Sequence, residues 1–106
     1  MKVLPFSVLT AGGGAFKVMF PLHPQTVSPD LVGSLTTRLL DTISDVVSQR
    51  PGVSGGDVLQ AIAMALAVRA QVIDAPPLAA ARVAEQLLAD ALAAVAESRA
   101  MASGRS

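Results

Sequence analysis

Between Val58 and Ile73 the only polar side chains are Gln60, Arg69 and Gln71, in a stretch whose Ala, Leu and Met content reads as helix. A helix apolar on nearly every side cannot face water and has to be wrapped by other elements. The segment before it is one-sided instead. Leu31, Leu35, Leu39, Ile43 and Val46 or Val47 recur at helical spacing, with Arg38, Asp41, Asp45 and Ser48 towards the other side. Residues 28–50 therefore read as an amphipathic helix. Ser28-Pro29-Asp30 opens it with a capping hydroxyl, a proline at the first helical position and an acid near the positive end. Gln49-Arg50-Pro51-Gly52 ends it, because Arg50 precedes a proline and Gly52 turns readily.

The second helix is expected over residues 55–74, with Ser54 as its cap and Asp57 three residues on in a weakened capping box. Ala61, Ala63, Ala65, Ala67 and Ala70 make it slim, so that neighbouring backbones can approach closely. Asp74-Ala75-Pro76-Pro77 breaks it and offers Asp74 as the next cap. A third helix follows over 77–101, with Val83, Leu87, Leu88, Leu92 and Val95 as its apolar stripe. Arg82, Glu85, Asp90 and Glu97 mark its polar side. Helices two and three, joined by a short connection, form a helical hairpin, and residues 102–106 form a frayed tail.

Residues 1–25 carry a different period. Val3 to Leu9 and Ala15 to Phe20 are β-rich runs around Thr10-Ala11-Gly12-Gly13-Gly14. Phe16, Val18 and Phe20 alternate with Lys17 and Met19, and Phe6 and Val8 match them across a hairpin, which puts all three phenylalanines on one face. Pro5 marks an edge or a strand end. A lone two-stranded hairpin is marginal, so it must pack on the helices or join the equivalent hairpin of a second subunit. The fold class expected is α+β, mostly helical: one domain over residues 1–106, an N-terminal β-hairpin and linker followed by three α-helices, the second central and buried.

Composition sharpens this picture. Hydrophobic residues make up 52% of the 106 and mean hydropathy is +0.56, more apolar surface than one small domain can readily bury. Part of it is therefore expected to meet a second copy, most simply in a homodimer. Eight basic residues balance eight acidic ones and never cluster, which argues against a nucleic-acid partner. A helix-turn-helix reading fails too, because Val58, Leu59, Ile62 and Met64 cannot hydrogen-bond to bases. With no cysteine, disulfides, thiolate nucleophiles and zinc-finger sites are excluded together. The N-terminus makes a poor secretory signal. The longest uncharged apolar block, Ala61 to Val68, falls far short of the ~20 residues that cross a bilayer. A cytoplasmic location without membrane partners is expected.

Few residues carry chemistry. Gly52-Val53-Ser54-Gly55-Gly56 spells a nucleophile elbow, but that motif needs a preceding strand and triad partners, so Ser54 is better read as a helix cap. The glycine loop, Gly13 included, could offer amides to a phosphate, yet strand rather than helix follows it and the P-loop ending is missing. His23 is the only histidine; Pro21 and Pro24 fix its backbone, but no carboxylates converge on it for metal or for catalysis. Arg69 is the odd charge in the most apolar helix. It must be paired near the helix end, snorkel, or line an anion pocket with Gln60, Gln71, Asp57 or another acid. The expected role is a non-catalytic accessory or protein-interaction module, self-associating or meeting another protein, without cofactor or metal. The alternative is an anionic-metabolite binder or minor enzyme around Arg69 and Gln60, with His23 or the Gly13 loop as a lid.

Overall fold

The computed structural model describes residues 2–9 and 13–103. Strands β1 (Val3–Leu9) and β2 (Ala15–Pro21) are followed by helices α1 (Pro29–Gln49), α2 (Gly55–Val72) and α3 (Pro77–Ser103). The fold is α+β and mostly helical, a hairpin and then three helices. Thr10, Ala11 and Gly12 of the glycine loop, and residues 104–106 of the expected tail, lie outside the described residues. The chain divides into two compact units, Met1–Gly33 with Gln86–Ser106, and Ser34–Glu85.

In the first unit the hairpin is antiparallel, with Leu4 opposite Phe20, Phe6 opposite Val18 and Val8 opposite Phe16. Because side chains alternate along a strand, these six share one face, and with Pro21 at the end of β2 they are the shielded positions of both strands. The three phenylalanines do share that face. Phe6 and Phe20 meet diagonally, ring centroids 6.2 Å apart and tilted by 59°, a favoured aromatic geometry. Val18, opposite Phe6 and two residues before Phe20, is fully buried. Leu4 reaches α1: a methyl placed on Gly33 would sit 3.6 Å from its Cδ1. On α3, Ala91, Ala94, Val95 and Ser98 form a half-buried stripe at helical spacing.

The second unit begins within α1, at Ser34, and its helix ends follow local chemistry. Arg50 O accepts from Val53 N at 3.2 Å around Pro51 and Gly52, whose φ is +88°; proline then glycine at positive φ is the type II turn. Ser54, extended at φ −80° and ψ 135°, caps α2. At the far end Ile73 is again extended, with ψ 154°. The expected cap at Asp74 is not found. Ala75 N folds back onto Ile73 O at 2.9 Å, and the first helical bond of α3 runs from Ala80 N to Pro76 O. Asp74 sits at the centre of that tight turn, and the capping position belongs to Pro76, just before Pro77 at the start of α3. At its C-terminus α3 continues through Ala102 and Ser103, since no helix breaker comes before Gly104.

The expectation that α2 is buried does not hold within one chain: none of its residues is buried, and only Val58 and Ala70 are half-covered. Ala61, Ala63, Ala65 and Ala67 are all exposed within one chain. An all-apolar pattern demands cover, but it does not say that the same chain supplies it.

Cover also falls on other residues than the periodicity suggests. On α3 the shielded positions of this unit are Ala80, Ala81 and Ala84, while Val83, Leu87, Leu88 and Leu92 are exposed; only Val95 of the expected stripe is half-buried. On α1 the half-covered positions are Pro29, Gly33, Thr36 and Ile43, and Leu31, Leu35, Leu39 and Val46 face out. On α3 small residues take most of the sheltered positions, and the large leucines stand outside.

Candidate functional site

The polar candidates resolve into local structural roles. Ser54 Oγ accepts from Gly56 N at 3.1 Å and Asp57 N at 3.4 Å, and Ser54 O accepts from Val58 N at 3.2 Å. Its hydroxyl lone pairs are directed at the free amides of the first turn, as a helix cap requires. Ser28 does the same for α1, its Oγ accepting from Leu31 N at 3.2 Å.

His23 is half-exposed and builds a turn. Its carbonyl accepts from Thr26 N at 3.0 Å, with Pro24 next in line, and its Nδ1 accepts from Gln25 N at 3.0 Å. An imidazole accepting at Nδ1 carries its proton on Nε2, so the ring is held as a cap of this turn. Gly13 has φ +88° and open space where a side chain would stand, a conformation that glycine adopts at no steric cost.

Arg69 and Gln60 are both exposed on α2. Nine residues separate them, two and a half turns and about 13 Å along the axis, which places them on opposite sides. They do not converge on one ligand. Gln71 reaches forward instead, its Nε2 donating to Pro77 O at 3.4 Å across the α2–α3 connection. His23 and Gly13 belong to the first unit, Arg69 and Gln60 to the second. Among the described residues no three His, Asp or Glu side chains stand close enough to hold a metal ion.

What remains is an apolar surface. Leu59 is 69% exposed, Met64 62%, Val68 61% and Val72 59%. At 3.6 residues per turn these fall into two ridges. Leu59, Ile62 and Leu66 lie on one side with Arg69; Met64, Val68 and Val72 lie nearly opposite, four residues apart. No protein-family model, curated protein or solved structure matches this chain. The surface must therefore be read from its own chemistry. Sequence reasoning found the need for cover on α2 but missed the second ridge, although the Met64–Val68–Val72 spacing was there to be counted. It also missed that the leucines of α1 and α3 would stand outside. Among the described residues no helix is long and apolar enough to cross a membrane.

Proposed function

We propose that this protein is a non-catalytic accessory or interaction module of the cytoplasm that works as a homo-oligomer, a dimer in the first instance, with α2 covered by the second copy. The observation carrying this reading is that the most apolar helix has no buried residue. Fully burying a Leu, Ile, Val or Met side chain stabilises by ~1.5–3 kcal/mol. Six such side chains on α2, more than half exposed on average, leave on the order of 5–10 kcal/mol unrealised. That matches the net stability of a whole domain, ~5–15 kcal/mol. Two ridges on nearly opposite sides also suit a helix with neighbours on both flanks, the position a central helix occupies in a bundle. A second copy offers matching surface in the outward leucines of α1 and α3.

Light scattering on the purified chain tests the reading, with at least twice the 10.8 kDa mass expected at micromolar concentration. Leu59→Glu adds a sharper test. On a solvated monomer helix it should change stability by less than ~0.5 kcal/mol; in the proposed assembly it should abolish association. A monomeric wild type, or a Leu59→Glu variant that associates normally, would sink the proposal.

A further inference from the structure

We infer that strand β2 offers its free edge to β2 of a second copy, antiparallel, with Val18 opposite Val18 of that copy; this rests on the self-association proposed above and locates one of its contacts. Among the described residues the sheet has two strands, so each carries an edge with no described strand beside it, and two strands alone are marginal. The hydrogen-bond parity tells the edges apart. Leu22 N donates to Lys2 O at 2.9 Å, and the register sets Val3 opposite Pro21. Lys2 therefore faces Leu22 as a bonded pair, and bonded pairs recur at every second position: Leu4 with Phe20, Phe6 with Val18, Val8 with Phe16. The peptide groups of Val3, Pro5, Ser7 and Leu9 on β1, and of Ala15, Lys17, Met19 and Pro21 on β2, point outward.

Proline has no N–H to offer. On β1 it interrupts the outer edge in mid-strand, at Pro5. On β2 it stands last, at Pro21, and leaves the N–H groups of Lys17 and Met19 facing out, both residues being exposed. Only β2 keeps consecutive outward donors at its centre. Three two-fold registers align donors with acceptors there. Centring on Lys17 sets two like charges opposite each other, which destabilises. Centring on Met19 brings the donorless Pro21 opposite Lys17. Centring on Val18 pairs Lys17 with Met19, keeps both donors bonded and sets Phe16 against Phe20 on the face that already holds Val18. Two hairpins then become one four-stranded sheet with a continuous apolar face.

Three variants test this on the full chain. Lys17→Pro removes a donor from the outer edge of β2 without touching the hairpin's own ladder. Two bonds are lost per dimer, and the dimer Kd should rise about 10- to 100-fold. Ser7→Pro makes the same change on the outer edge of β1 and should leave Kd unchanged. Val18→Cys, in a chain with no other cysteine, should form a disulfide-linked dimer under mild oxidation, because facing Cα atoms in a non-bonded antiparallel pair lie about 4.5 Å apart. A wild type that dimerises while Lys17→Pro and Ser7→Pro behave alike overturns the edge contact and leaves the self-association reading standing. A monomeric wild type overturns both. Should Val18→Cys fail to fold, the proline pair decides.

Discussion

Single residues with one geometric task are where this chain is most legible. Ser28 and Ser54 stand as hydroxyls just ahead of helices, and both accept from first-turn amides. Ser54→Ala should cost about 1 kcal/mol, seen as a lower midpoint in urea unfolding, and Ser54→Asp should restore most of it. Gly52 is the positive-φ position of the turn after α1, and Gly52→Ala should cost ~1 kcal/mol or more by forcing a Cβ into the left-handed region. Asp74 does not cap α3 because an Asp caps only a helix that begins at the next residue, and nothing in Asp74-Ala75-Pro76-Pro77 announces the tight turn that delays α3 to Pro77. Arg69 misled for another reason. A charge among apolar neighbours in the sequence is anomalous only if those neighbours are buried, and here they are not.

At the level of elements, boundaries and strand register followed from alternation, helical spacing and prolines, all local signals. Which helix face is covered did not, because cover depends on what stands opposite. Of the apolar stripe expected on α3, Val83, Leu87, Leu88 and Leu92 are exposed and Val95 is half-buried, while most of the other shielded positions are alanines. Gly33 shows how α1 meets the hairpin in the first unit. It lies inside a helix, where glycine is disfavoured by ~1 kcal/mol relative to Ala, and an added methyl would meet Leu4 at an ordinary 3.6 Å. Gly33→Ala should therefore stabilise by up to ~1 kcal/mol, raising the thermal midpoint by several degrees. A lower midpoint would mean that the hairpin sits closer to α1 than this spacing allows.

For the molecule as a whole, Val18 and Ala80 are the only buried hydrophobic residues among those described, and only Val18 is fully so. Ordering the backbone costs ~1–2 kcal/mol per residue, so cover for the exposed side chains would add to what this small core offsets. On the reading proposed here, folding and association are linked, and stability depends on protomer concentration. Diluting the protein from tens of micromolar to tens of nanomolar should lower its helical circular dichroism and its melting temperature together. A signal independent of concentration would argue for a self-sufficient monomer. The sequence made the need for shelter plain through Val58 to Ile73, but a pattern of side chains along one chain does not record which molecule provides it.

Pro5 has one more effect. A ribbon receptive on both borders can recruit neighbours without end, and fibrils grow in that way. Here one border lacks an amide at its middle, so a joined pair presents only its two spoiled sides to newcomers. In the proposed dimer, growth would therefore stop at a closed couple rather than a filament, a useful safeguard for a chain this greasy.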